Sequence, residues 1–298
     1  MKQETKIQNR LLFFILVVLA LEAIFFSVEN SKLKEEEQLR QEHKEQLKIT
    51  LENTPVLAQA VSVYNLSENI SEDKKIYGKN DDISMPIASL AKILTVAVAL
   101  NNYQKDEIIS IPPEAIKQDG DFGLLAQEKW KVKDLARLTL ISSANDGVYA
   151  LATGEDFLQR VNEKARKIGL ENSIFLNTTG LDLDLSQAGA FASAEDVNEM
   201  AFYAYRAYPE IFQATRVEEI ELESESGFTH NFKNTNTIVS KIPNLLFSKT
   251  GFTEVAGGNL IVIFRNKRGE EIAITLLGST FDGRFSDMET IVNILYTF

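Results

Sequence analysis

Strand-like stretches flank both ends of the globular part of this chain, and a long helical stretch separates them. That order is the strongest constraint on the fold. "AQAVSVYNL" (Ala58–Leu66) alternates and is rich in β-branched residues, so it reads as a strand. "IYGKN" (Ile76–Asn80) is its partner across the turn "SENISEDKK". "SLAKILTVAVALNNY", from Ser89 onward, is apolar and free of breakers, and reads as a long buried helix. Helical patterning continues through "VKDLARLTLISS" and "SANDGVYALATG" to Gly154, and then through "EDFLQRVNEKARKIG" to Gly169. "SAEDVNEMAFYAYRAY" opens on a capping-box pattern, Ser193 then Asp196. After Pro209 strands return: "VEEIELES" alternates, and "NLIVIFRNKRGEEIAITLLGS" is a hairpin turning at "NKRGE". "FSDMETIVNILYTF" closes the chain as a helix. The fold class is therefore α+β. The simplest assembly pairs the early hairpin with the late strands in one antiparallel sheet flanked by helices. The helical middle, about residues 97–210, stands as an inserted all-helical subdomain.

Ahead of this part lies an address. Lys2, Lys6 and Arg10 precede the apolar run Leu11–Val28, which is long enough to cross a bilayer as a helix. Basic residues ahead of such a run predict the N-terminus inside and the rest of the chain outside. No small-x-small cleavage pattern follows closely, which favours an uncleaved anchor over a removed signal peptide. Glu22 weakens the span, because a carboxylate in hydrocarbon is costly. "SKLKEEEQLRQEHKEQLK" (Ser31–Lys48) is charged and made of good helix formers. Its leucines keep no heptad, so it reads as a solvated helical stalk. The expected domains are thus an anchor over residues 1–28, a stalk over 29–53 and a catalytic domain over 54–298.

"PIASLAKIL" (Pro86–Leu94) sets Ser89 and Lys92 three residues apart, on one face of a helix. Ser89 at a helix start is as well read as an N-cap. That reading leaves the lysine in an apolar run unexplained, since it must snorkel, pair or lose its proton. A lysine of lowered pKa can serve as base to a neighbouring serine. The 298-residue chain has no cysteine and only two histidines, His43 and His230. A thiol nucleophile, disulfides and a thiolate metal site are excluded, and Ser–Lys becomes the natural nucleophile pair. A net charge of −12 with no basic block argues against nucleic acid as a partner. Two more stretches fit the same chemistry. "SSANDG" holds Ser143 and Asn145 at a break between helices, where a hydroxyl can relay protons and an amide can hold a carbonyl. Read alone it is a polar loop with a cap. "FSKTGFT" holds Lys249, Thr250 and Gly251 ahead of a strand and suits close approach of a carboxylate-bearing substrate. Read alone it is an ordinary turn.

Together, S-x-x-K, S-x-N and K-T-G in this order form the signature of penicillin-binding proteins and class A β-lactamases. From about Pro55 to Phe298 the chain resembles the D-alanyl-D-alanine carboxypeptidase family, the low-molecular-weight penicillin-binding proteins. "MPIASLAKILTV", "NTTGLD", "NTN", "KTGFTEVAGGNL" and "GRFSD" carry the resemblance. Ala91 and Val96 depart from the usual threonine and alanine, and Phe247-Ser248 replaces a glycine-containing approach to the KTG lysine. The family's frequent C-terminal β-domain and amphipathic anchor are expected to be absent, with the N-terminal span in place of that anchor.

The resemblance implies the DD-peptidase/β-lactamase fold, with the active site between sheet and helical subdomain. Ser89 would attack the D-Ala–D-Ala carbonyl, Lys92 would take its proton, and Ser143 would pass a proton to the leaving nitrogen. Asn145 would position the peptide, and Lys249 and Thr250 would bind the terminal carboxylate beside Gly251, with Arg284 assisting. The backbone N–H groups of Ser89 and Phe252 would form the oxyanion hole. No cofactor or metal is implied. The partners would be a peptidoglycan stem peptide, β-lactam antibiotics as inhibitors, and the membrane. A class A-like β-lactamase is the enzyme rival and needs a deacylating glutamate. The nearest stretch, "EIELE" (Glu219–Glu223), alternates like a strand. A non-catalytic penicillin or peptidoglycan sensor is the binding rival, against which the complete set of reactive residues argues.

Overall fold

The computed structural model describes residues 2–67, 74–120 and 122–297, without the side chains of 2–12, 15–18, 20, 23 and 36. The middle of the expected early turn, residues 68–73, lies outside the described residues. The chain divides into two compact units, Met1–Thr50 and Leu51–Phe298. A single helix, Lys2–Glu52, takes up the first of them. The expected span Leu11–Val28 lies in this helix, and many of its side chains fall outside the described residues. Among the described residues no helix is long and apolar enough to cross a membrane.

In the second unit the strands are, in chain order, β1 (Ala60–Asn65), β2 (Lys75–Lys79), β3 (Met85–Pro86), β4 (Ile108–Ser110), β5 (Lys129–Lys131), β6 (Ile174–Phe175), β7 (Ala190–Ala192), β8 (Glu219–Glu223), β9 (Thr229–Lys233), β10 (Leu245–Thr253), β11 (Gly257–Arg265) and β12 (Glu271–Ser279). The main sheet has the order β10-β11-β12-β1-β2 and is antiparallel throughout. The early hairpin therefore does join the late strands, with Val61 opposite Leu276 and Val63 opposite Ile274. β1 is buried along its whole length, and β11 and β12 nearly so. Such continuous burial means that both faces are covered. The helices Ala194–Ala207 and Gly283–Thr297 pack on this sheet. Ser193 caps the first, its hydroxyl accepting from Asp196 N–H as the sequence pattern requires.

The middle of the chain holds the helices Lys92–Asn102, Val132–Ser142, Asn145–Leu151 and Phe157–Lys167. It also carries short strands: β4 pairs with β5, and β6 and β7 join β3. The alternating "VEEIELES" is a strand, but it pairs with β9 in a separate hairpin and not in the main sheet. One difference from the expected helices matters for the site. Ser89 sits in a 3₁₀ turn, Ala88–Ala91, and the α-helix begins only at Lys92. The break between helices read from "SSANDG" falls at Ser143, which adopts a left-handed conformation (φ 63°, ψ 29°). β10 lies at the edge of the main sheet, alongside the Ser89 turn.

Candidate active site

The chain enters the Ser89 turn pinned at two points. Pro86 O accepts from Asn259 Nδ2 at 3.1 Å, and Ile87 N–H donates to Ala190 O at 3.1 Å. Ala88 then takes φ +47°, a left-handed conformation that a residue with a Cβ adopts only under constraint. Two glycines allow neighbouring segments to close on this turn. A Cβ on Gly180 would stand 2.0 Å from Ala88 O, and one on Gly251 would stand 2.6 Å from Ile87 O. The room left by Gly251 is thus filled by the backbone that presents Ser89. Sequence reasoning assigned that room to the substrate.

The cap position of the 3₁₀ turn belongs to Ile87, with no side-chain cap bond. The Ser89 hydroxyl is therefore not a cap. Lys92 Nζ donates to it at 2.7 Å and to Thr179 O at 2.8 Å. Lys92 is fully buried. Burial lowers its pKa from 10.5 to about 7, against the opposing pull of the Asp146 carboxylate. Near neutrality a large fraction of this amine is unprotonated and able to accept a proton.

Ser143, at the left-handed break between two helices, accepts from Lys249 Nζ at 2.8 Å. Lys249 also donates to Thr250 O at 2.8 Å. Its pKa is held well below the usual lysine value by burial first, then by the positive charges of Lys92 and Arg284. Ser143 and Lys249, far apart in sequence, are thereby in direct contact, and Lys249 feels the Lys92 charge. Asn145 Nδ2 donates to Asp119 O at 2.5 Å, while its Oδ1 is buried without a partner among the described residues. That oxygen can accept from a bound amide N–H. Thr250 Oγ1 donates to Thr235 Oγ1 at 2.6 Å.

Phe252 is 39% exposed and stacks edge to face on Phe281 at 5.0 Å between centroids. Arg284 is buried behind β10. Its Nη1 donates to Gly251 O at 2.7 Å, and its guanidinium lies 4.5 Å from the Phe281 ring centroid and 4.7 Å from that of Phe285. Burial lowers its pKa to about 10. In this arrangement Arg284 holds the strand that carries Lys249–Phe252. The glutamates of "EIELE", Glu219, Glu221 and Glu223, are exposed on β8.

A family model described as D-alanyl-D-alanine carboxypeptidase, peptidase S11, matches residues 60–280. The chain belongs to this family. A D-alanyl-D-alanine endopeptidase of Pseudomonas aeruginosa is 30% identical over 199 residues, 63% of this chain and 62% of the relative. D-alanyl-D-alanine carboxypeptidase DacF of Bacillus subtilis is 26% identical over 235 residues, 75% of this chain and 59% of the relative. The chain therefore spans less than two thirds of the length of these relatives. Among solved structures, penicillin-binding protein D2 of Listeria monocytogenes in an ampicillin-bound form aligns with a TM-score of 0.70 and 26% identity. That alignment covers 82% of this chain and 99% of the other. The Streptomyces K15 DD-transpeptidase shares the fold, with a TM-score of 0.73 at 21% identity.

Three groups at the site were not singled out from sequence: Thr179, whose carbonyl holds Lys92; Thr235, which accepts from Thr250; and Asp146. Thr179 and Thr235 lie in the family stretches "NTTGLD" and "NTN", and Asp146 follows Asn145 directly. Their neighbourhood was visible, but their roles depend on contacts between distant segments.

Proposed function

We propose that this chain is a serine-type D-Ala–D-Ala carboxypeptidase that trims peptidoglycan stem pentapeptides and is acylated by penicillins. The observation that carries this reading is the fully buried Lys92 amine, 2.7 Å from Ser89 Oγ. Neutral Lys92 takes the hydroxyl proton as Ser89 Oγ bonds to the carbonyl carbon of the terminal amide. The oxyanion is met by the N–H groups of Ser89 and Phe252. The C–N bond then breaks as Ser143 gives its proton to the departing amine nitrogen, and the proton taken by Lys92 restores the Ser143 hydroxyl, which Lys249 holds in place. Asn145 Oδ1 accepts from the peptide, and Thr250 with Lys249 binds the terminal carboxylate. Water then gives a proton to the again neutral Lys92 as it attacks the ester, and Lys92 returns that proton to Ser89 Oγ as the ester C–O bond breaks.

The chemistry is the same if the departing amine belongs to a second peptide. That reading, a D-alanyl endopeptidase, is favoured by the endopeptidase name of the Pseudomonas relative. The exposure of the β8 glutamates leaves the β-lactamase reading without a buried deacylating base on that strand. We also propose that Leu11–Val28 anchors the chain in the cell membrane with the catalytic domain outside, from the Lys2, Lys6 and Arg10 flank.

Mass analysis after incubation with a stem pentapeptide and with a cross-linked peptide dimer tests the activity. Loss of the terminal D-alanine from the pentapeptide supports the carboxypeptidase. Cleavage of the dimer alone moves the assignment to endopeptidase, and an intact pair of substrates overturns both. Protease added to intact spheroplasts is expected to digest the domain. A domain protected until lysis refutes the topology.

A further inference from the structure

Directly after Asn145, a carboxylate whose charge bears on Lys92 is folded completely away from solvent. Asp146 has no exposed surface. Its Oδ2 accepts from Phe122 N–H at 3.0 Å and Leu124 N–H at 3.4 Å, and its Oδ1 accepts from Gly147 N–H at 2.8 Å. Asn145, its neighbour, reaches the same stretch of chain through Nδ2 to Asp119 O. Gly120, at φ +70°, gives that stretch its turn, and a Cβ there would stand 3.0 Å from Asn145 Nδ2. Burying a carboxylate is costly, and backbone N–H donors offset only part of that penalty. A neutral side chain would serve a purely structural tie at less expense. What distinguishes this place is its cations. Asp146 bears on the buried Lys92, and Lys92 and Arg284 bear in turn on the buried Lys249.

We infer that Asp146 is a positioning residue of the reaction: its carboxylate ties Phe122 and Leu124 to the Ser143–Asn145 turn, next to the bond that Asn145 itself makes to Asp119 O, and supplies the negative charge that counters the buried Lys92. The inference rests on the reading of Ser89 and Lys92 as nucleophile and base. Among the described residues, the groups that face Lys92 are Ser89 Oγ, Thr179 O and the charge of Asp146. Lys249 faces Ser143, Lys92 and Arg284, and Arg284 feels Asp282. Without Asp146, nothing in that set stabilises the ammonium form of Lys92 except the two oxygens it touches. The base would lose its proton at a lower pH, and Asn145 would lose the strand of chain that fixes its amide.

Asp146→Asn keeps the shape and removes the charge. Acylation by a penicillin is followed from acid to mildly alkaline pH in wild type and variant, together with kcat and KM for a D-Ala–D-Ala peptide. The acid limb of the acylation profile is expected to fall roughly one pH unit below that of wild type. The plateau rate is expected to drop about tenfold as Asn145 loosens. Gly120→Ala disturbs the bond by which Asn145 holds to this stretch, without touching charge, so its plateau should fall while its acid limb stays in place. An Asp146→Asn limb that coincides with wild type overturns the electrostatic role. If that variant does not fold, Gly120→Ala decides alone, and a wild-type plateau there overturns the positioning role. A wild-type protein that penicillin does not label at Ser89 would sink the proposed function itself, a separate outcome visible before either variant is made.

Discussion

Replacing Lys92 by methionine should inactivate the protein and change its stability in a direction that depends on pH. The structure supplies the magnitude. At about 1.4 kcal/mol per pH unit, a pKa moved from 10.5 to about 7 makes protonation of Lys92 cost the folded state roughly 4–5 kcal/mol. An unfolded chain takes up the proton as pH falls through 10.5, whereas the folded protein takes it up only near 7. The lysine therefore leaves stability untouched at high pH, erodes it as pH falls across that window, and has its full destabilising effect below it. Lys92→Met escapes this penalty but leaves Thr179 O and Ser89 Oγ without their donor, which costs about 1–3 kcal/mol. At pH 7 the variant should be more stable than wild type by about 1–3 kcal/mol. Above pH 10.5 it should be less stable by a similar amount. Urea midpoints of the full chain at both pH values measure this, and fluorescent penicillin measures the loss of acylation. A variant destabilised equally at both pH values would show that Lys92 does not carry a depressed pKa. A variant that still labels would show that Lys92 is not the base.

Acylation of the wild-type protein should fall as pH drops through about 7, because protonated Lys92 can no longer accept the Ser89 proton; a pH–rate profile flat through neutrality contradicts this. Gly251→Ala places a Cβ 2.6 Å from Ile87 O and should displace the Ser89 turn, slowing acylation about 100-fold while the fold persists in circular dichroism. Arg284→Met removes the bond to Gly251 O and should slow acylation by a carboxylate ligand and by its methyl ester in the same ratio. A selective loss for the carboxylate would make Arg284 a direct recognition group.

Much of this site could be read from local sequence because its chemistry is carried by residues that violate their surroundings. Lys92 lies in an otherwise apolar helix, and that conflict pointed to a depressed pKa before any contact was known. The sheet was legible for a related reason: alternating and continuous apolar patterns at the two chain ends required each other for burial. Other features were hidden because they arise between segments far apart in sequence. The break at Ser143 could be read from "SSANDG", but its left-handed conformation could not. The 3₁₀ start at Ala88–Ala91 depends on Gly180 and Gly251 giving way to it. The bond from Arg284 Nη1 to Gly251 O joins segments far apart in sequence and left no local sign. Thr179 and Asp146 act on Lys92 through a backbone carbonyl and a buried charge, and neither leaves a mark on the local pattern.

The central claim is a Ser89 ester formed with Lys92 as base, and trapping that ester tests it most directly. The full chain is incubated with benzylpenicillin, digested and sequenced by tandem mass spectrometry. A penicilloyl adduct on the peptide containing Ser89 is expected, absent from Ser89→Ala and from Lys92→Met, and long-lived enough to survive digestion. An adduct on another residue, or none while D-alanine is still released from a pentapeptide, would contradict a Ser89 acyl-enzyme.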